Sequence, residues 1–463
     1  MQELARAVTD PASPRFRKFY TPAEIRALAA PTDAEYAAFV ARLKAEGAKI
    51  VRESPTRLTL TVRAERSYLA GLTAAPEVVS IKGLVPSARR KPHLKILPMA
   101  SKKDAFAGFS PAQIHTAYGF DAIYAQGITA KGQDIAIATY DSFKVADVKD
   151  YYTKNGVTPA PTVDQVSFNG TAKFDPESAS ETQTDAEFAG MIAPGAAIHV
   201  FASATNDDAG ELAVFTAILD DGRAKVVNYS WGTCETSVTD AHRADMDAVF
   251  ARAAAQGVSI QIASGDSGSD CQGDGSTVAD FPAVEPYVVA VGGTNLSLDS
   301  NGLAQESAWS GSGADGGSGG GVSTLYAAPS WQSALPSDYS SGRAYPDVSF
   351  NADPASGQPT WIHFDPNNPT VTPKTAQYIV IGGTSIAAPQ WTGFLALVNA
   401  ARGTALGYAA PVLYQAAAAQ AGSVFNDVTS GSNGAYTAGA GWDAVTGWGS
   451  MQASALLAYL KSN

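Results

Sequence analysis

GVSIQIASGDSGSD, residues 257–270, is a short apolar run that stops in a turn of glycine, aspartate and serine. Val258 to Ala263 has the composition of a strand buried on both faces of a parallel sheet. Four other runs share it: QDIAIATY (133–140), AIHVFASA (197–204), AKVVNYSW (224–231) and PYVVAVGG (286–293). Helical patterns lie between them, ELAVFTAILDD (211–221) and DAHRADMDAVFARAAAQG (240–257). Strands alternating with helices predict a doubly wound, mostly parallel α/β sheet. In such sheets function sits beyond the carboxyl ends of the strands, and Asp266 occupies that position here.

The chain of 463 residues is long enough for two domains. Its net charge of -12 and charged fraction of 16% argue against nucleic acid and anionic membranes as partners. The charge is divided unevenly. Residues 1–103 hold 19 Lys and Arg against 9 Asp and Glu, a balance of +10, which leaves -22 for the rest. No apolar run of about 18 residues suggests a membrane span. The opening MQELARAVTD has no apolar signal core, so the protein is either cytoplasmic or begins after a removed signal; the second is the expectation, and the protein is read as secreted. Cys234 and Cys271 lie 37 apart in loop-like surroundings, unlike a zinc site, and are read as a disulfide rather than two buried free thiols. Nothing resembles a coiled coil, and a monomer is expected.

In the basic front piece, residues 33–47 carry helical spacing, KIVRES (49–54) and RLTLTV (57–62) alternate as strands, AERSYLAGL (64–72) reads as a short helix and EVVSIKG (77–83) as a strand. This suits a small α+β domain of ferredoxin-like type over 1–86. SARRKPHLKILPMASKK follows without periodicity, so residues 87–104 are expected to be an exposed, cleavable linker before a body over 105–463. The glycine-rich SGSGADGGSGGGVS (310–323) is read as a loop of close backbone approach.

IGGTSIAAPQW (381–391) presents Ser385 as a hydrolase nucleophile would stand, and such a hydroxyl needs a base. His93, His115, His199, His242 and His363 all lie in unsuitable surroundings: His93 in the linker, His242 on a helix face that reads as solvated. Carboxylates are the other candidates. In SASETQTDAEFAGMIAPGAAIHVF (178–201), Glu181 and Asp185 share one helix face, either as a solvated acidic first turn or as a pair whose proximity raises one pKa. Asp266 is either an ordinary turn aspartate or, if kept protonated, a donor to a developing oxyanion.

Together GGTSIAAP, the Glu-x-x-x-Asp with GMIAPGA, and SGDSG resemble the sedolisin family of serine-carboxyl peptidases, of the kumamolisin-like kind, with a pro-domain in front. SPAQIHTAYG, NYSWG, GGGVS and YPDVSFNADP extend the resemblance over nearly the whole chain. It implies a subtilisin-like fold with Ser385 as nucleophile, Glu181 as base, Asp185 orienting it, Asp266 as oxyanion donor and Trp231 as a wall of the site. Thr139 stands where some members place a further glutamate. The resemblance also implies a structural Ca²⁺ in FNDVTSGSNGAYTAGAGWDAVTGWG (425–449), held by carboxylates of Asp427 and Asp443 and backbone oxygens of Val428, Gly439 and Gly441. The implied protein is a self-processing zymogen of an acid endopeptidase, acting on proteins and peptides and bound by its own pro-domain. The alternatives are a tripeptidyl-peptidase of the same fold, a non-catalytic binding protein that kept the fold, and a neutral subtilisin-like protease.

Overall fold

Five buried apolar runs need partners on both edges and both faces, and a parallel sheet between two helical layers supplies them. The computed structural model describes residues 1–96, 108–311, 316–362 and 377–463. Its sheet comprises β1 (Asp134–Thr139), β2 (Thr162–Val166), β3 (Ala197–Ala202), β4 (Val226–Tyr229), β5 (Ser259–Ala263), β6 (Val289–Leu298), β7 (Ala304–Ala308) and β8 (Val348–Asn351). The order is β7-β6-β5-β4-β1-β3-β2, with β8 joined to β6. Only the β6–β7 hairpin is antiparallel.

Side chains alternate between two cores, as a two-residue period requires. Ile135 and Ile137 join Ile198 and Val200 on one face; Ala136 and Ala138 join Val227 and Ile260 on the other. The first face is covered by helices Pro176–Ile192 and Thr384–Arg402, which pack on each other, the second by Asp208–Asp221 and Asp240–Ala255. The expected disulfide joins Cys234 to Cys271. The glycine-rich loop does make close backbone approaches: a Cβ on Gly319 would stand 2.1 Å from the Ser264 carbonyl oxygen, under the turn that carries Asp266.

The front domain has helices Gln2–Thr9, Pro22–Ala29, Asp33–Ala45 and Arg66–Gly71 around one antiparallel pair, Lys49–Glu53 with Leu60–Arg63. Two expectations need correction. EVVSIKG forms no strand, because its polar side chains are drawn to the body instead: Ser80 and Lys82 bind Asp245 at 2.8 Å each. The domain is therefore α+β without the third strand expected of it. The described part of the linker, residues 87–96, is not an exposed strap either. Lys91–Pro92 pairs with Trp231–Gly232 and Lys95–Ile96 with Ile381–Gly382, because two open strand edges of the body border the same cleft.

Docking of the front domain uses apolar contact and a buried charge. Ala5, Val8 and Ile25 are fully buried in the same core cluster as the body's own residues. The Phe19 ring fills a slot made by two glycines: a Cβ on Gly257 or on Gly407 would come within 2.4 Å of it. Asp220, on the body, accepts from Arg52, Ser54 and Thr56 of the front domain and from Arg252 of its own side. Removing this carboxylate leaves Arg252 buried without its partner, at a cost of about 3–5 kcal/mol. In a Ser385→Ala chain, Asp220→Ala should make the front domain far more sensitive to limited proteolysis at neutral pH while the body resists; equal digestion of both chains would count against this anchor.

Candidate active site

Ser385 is the second residue of helix Thr384–Arg402, which begins after Gly383 at φ +102°. Its Oγ donates to Glu181 Oε2 at 2.7 Å. Glu181 and Asp185 sit one turn apart on helix Pro176–Ile192, and every residue from Ser180 to Asp185 is fully buried. The solvated first turn is thereby set aside. Asp185 Oδ1 accepts from Ser230 Oγ at 2.6 Å, and Asn228 donates to that same hydroxyl at 3.0 Å. The remaining oxygens, Glu181 Oε1 and Asp185 Oδ2, find no donor, although the two carboxyls face each other closely enough to interact. One proton held between them satisfies both. Burial raises the pKa of each carboxyl well above its usual range, and Asp185 raises Glu181 further.

Asp266 approaches the serine from the other side. Its Oδ1 accepts from Thr384 N at 2.7 Å and from Thr384 Oγ1 at 2.9 Å, capping the helix. Its Oδ2 is buried and has no donor. Burial pushes this carboxyl up to about 6, against the lowering influence of His93, Thr384 and Lys95. A neutral carboxyl at Oδ2 is a donor, and it borders the space beside Gly383, where a Cβ would stand 2.6 Å from Oδ2 and 2.2 Å from the His93 carbonyl oxygen. That same oxygen accepts from Ser385 N at 3.0 Å. A main-chain carbonyl of the linker thus lies between a helix N-terminal amide, the seryl hydroxyl and a buried acid.

None of the described histidines takes the serine proton. His93 Nε2 lies 3.3 Å from Asp280, with room made by Gly232, where a Cβ would collide with both groups. His115 contacts the Met191 carbonyl, and His199 lies between Asp134 and Asp164. His242 is fully buried against Glu211, which corrects its reading as solvated: its helix packs on Asp208–Asp221. His363 lies outside the described residues. Trp231 borders the cleft, its backbone paired with Pro92 and its buried ring edge-on to Tyr140 at 5.2 Å. Thr139, at the end of β1, meets Thr182 through their hydroxyls at 2.7 Å, one residue after Glu181. Sequence reading missed Ser230, Asn228, Thr384 and Asp280 because their roles are set by distant elements meeting.

The tail loop meets the requirements of a hard cation only in part through side chains. Asp427 accepts from Gly441 N at 3.0 Å and Asp443 from Gly439 N at 3.0 Å, so both carboxylates close on one turn. Among the described residues, the carbonyl oxygens of Val428, Gly439 and Gly441 accept no hydrogen bond, and no three ligating side chains come together. Carboxylates and free carbonyls are oxygen ligands of the type Ca²⁺ takes, and Asp443 also accepts from Val445 N and Thr446 N at 2.9 Å each.

The fold and the buried serine with its carboxyls define a serine peptidase, and the Subtilase family model matches residues 172–449. The model for the pro-kumamolisin activation domain matches residues 1–70. Kumamolisin of Bacillus sp. (strain MN-32) is 37% identical over 421 residues, 83% of this chain and 71% of that protein. The solved structure of Pseudomonas sedolisin, a serine-carboxyl proteinase complexed with pseudo-iodotyrostatin, superposes with a TM-score of 0.68 at 31% identity, covering 78% of this chain and all of that one. Tripeptidyl-peptidase 1 of Canis lupus familiaris is 26% identical over 99% of this chain and 88% of its own length. The chain belongs to the sedolisin family of serine-carboxyl peptidases and carries that family's pro-domain.

The raised Asp266 carboxyl gives a stability test. Between its ordinary 3.8 and about 6, the folded chain holds a proton at Asp266 that the unfolded chain has lost, so stability falls as pH rises through that window. The contribution is about 3 kcal/mol. In the Ser385→Ala chain, urea denaturation between pH 4 and 7 should show this loss, and Asp266→Asn should flatten it by a comparable amount. Identical slopes for the two chains would show that Asp266 titrates normally.

Proposed function

We propose that the chain is the zymogen of a secreted, acid-acting endopeptidase that cleaves peptide bonds through an acyl-enzyme on Ser385. The observation that carries this reading is the 2.7 Å hydrogen bond from Ser385 Oγ to Glu181, beside a peptide carbonyl held by Ser385 N. As Oγ attacks the substrate carbonyl carbon, its proton passes to Glu181 Oε2. The proton already between the acids shifts to Asp185, so the pair passes from one negative charge to none and never has to carry two. The oxyanion forms between Ser385 N and protonated Asp266, which donates only in acid. The pair then returns a proton to the leaving amine, and water repeats the sequence on the ester. Above about pH 6 Asp266 ionises and places a negative charge where the oxyanion must form.

The domain plan is residues 1–86 as pro-domain, 87–104 as linker and 105–463 as peptidase. The bond presented to Ser385 is His93–Leu94. Upstream of it the linker remains bound through Arg90 to Ser87, whose hydroxyl accepts from Asp208 N at 2.9 Å. A cleft that holds chain beyond the third upstream residue supports an endopeptidase over a tripeptidyl-peptidase. The disulfide supports an oxidising, extracellular setting. Among the described residues no helix is long and apolar enough to cross a membrane.

Ca²⁺ would be held by Asp427, Asp443 and the carbonyls of Val428, Gly439 and Gly441, where it would pin the tail loop and play no part in bond cleavage. Intact mass after incubation at about pH 4 tests the processing: the expected new amino terminus is Leu94, absent from Ser385→Ala and slowed roughly 10²–10³-fold in Asp266→Ala. A first cut elsewhere would refute the register, and processing by Ser385→Ala would refute the nucleophile. EGTA should lower the melting temperature of the processed enzyme by several degrees and added Ca²⁺ restore it; no shift, with no metal found by elemental analysis, would leave the loop metal-free.

A further inference from the structure

Arg90 is the fourth residue on the amino side of the His93–Leu94 bond, and its side chain, only 1% exposed, is inserted into the body. One guanidinium nitrogen lies 2.9 Å from Asp208 and the other 2.5 Å from Glu211. Apart from the linker's own Ala88 carbonyl, which accepts from Arg90 at 2.6 Å, the groups around the guanidinium belong to the peptidase: Asp208 and Glu211 on helix Asp208–Asp221, His242 on helix Asp240–Ala255, and Tyr229 at the end of β4. The walls stay when the linker leaves. The pocket entrance is equally independent of the pro-domain. Asn206 accepts from Arg90 N at 2.7 Å and donates to Arg90 O at 2.9 Å, a backbone clamp that any extended peptide can use.

We propose that this pocket is a specificity subsite of the processed enzyme, which selects substrates with arginine at the fourth residue before the cleaved bond through Glu211 and Asp208. The proposal rests on the peptidase reading above and on its register. Glu211 is fully buried, and Tyr229 donates to its Oε1 at 2.7 Å, leaving Oε2 for a second partner. Burial alone would raise this carboxyl, but Arg90 and His242 hold it down at about 2, so it meets the guanidinium as a carboxylate. His242 Nε2 lies 2.6 Å from Glu211 Oε2 and 2.7 Å from the Arg90 nitrogen. A guanidinium only donates, so a hydrogen on Nε2 serves Glu211 rather than the arginine. The same Nε2–H keeps a partner on Glu211 Oε2 when the pocket stands empty. Two acids placed for two nitrogens favour arginine over lysine, whose single ammonium cannot reach both in that geometry.

The test uses enzyme processed from the full chain in acid and amino-blocked peptides of the sequence of residues 87–96, with alanine in place of Arg89. The residue matching Arg90 is arginine, citrulline or norleucine, and the cut bond is read by mass spectrometry. The expected kcat/KM for arginine exceeds that for citrulline, its uncharged near-isostere, by roughly tenfold or more. Glu211→Gln should bring that ratio toward one, and Asp208→Asn, at the partly exposed rim, should lower it if the first variant does not fold. Equal rates for the three peptides cut after the histidine would overturn the subsite and leave the peptidase reading intact. Failure to cut any of them would overturn both.

Discussion

A buried carboxyl without a cation must keep its proton or find hydrogen bonds, and this molecule places three such groups around one serine hydroxyl. Glu181 and Asp185 share a proton because they face each other away from water. Burial, with donors to only one of its oxygens, raises Asp266 so that it holds its proton up to about 6. The surrounding fold serves that restriction. The helix bearing the pair is buried from Ala179 to Ile192, the serine helix lies against it, and β4 and β5 deliver Ser230 and Asp266 to the same end of the sheet. In the function proposed above, carboxyls in place of a histidine are what tie the site to acid.

Much of this was legible in sequence where the signal is local. Strand runs and helix periods marked the sheet, and the position after β5 marked Asp266 as a site residue by topology alone. The acid pair was legible as two carboxylates on one helix face, though not as buried, because burial depends on the serine helix packing over it. Signals were also overlooked: Thr21-Pro22-Ala23-Glu24 is a capping box with proline at the first helical position, and it starts the helix Pro22–Ala29. The strand expected at 77–83 had the right composition, but Ser80 and Lys82 within it are taken up by Asp245 of the body.

The linker shows why pattern alone misleads. Its basic, aperiodic sequence has the appearance of a solvated strap, yet Arg90 and His93 are among the buried residues. Their environment is supplied by the body's acids, Glu211, Asp208 and Asp280, which are distant in sequence. A balance of +10 on the front against -22 on the body favours attraction between them, but it does not reveal where that attraction is concentrated.

The slot that Gly257 and Gly407 leave for Phe19 has a further consequence. Cutting the linker removes a tether but none of the contacts made by Phe19, Ala5, Val8 or the groups around Asp220. The severed domain therefore remains a ligand for a surface already shaped to receive it. What the cut removes is effective concentration, turning an intramolecular contact into a bimolecular equilibrium. If the chain is processed as proposed, enzyme activity would depend on how far the two pieces are diluted, held in check in a crowded compartment and set free in an open medium.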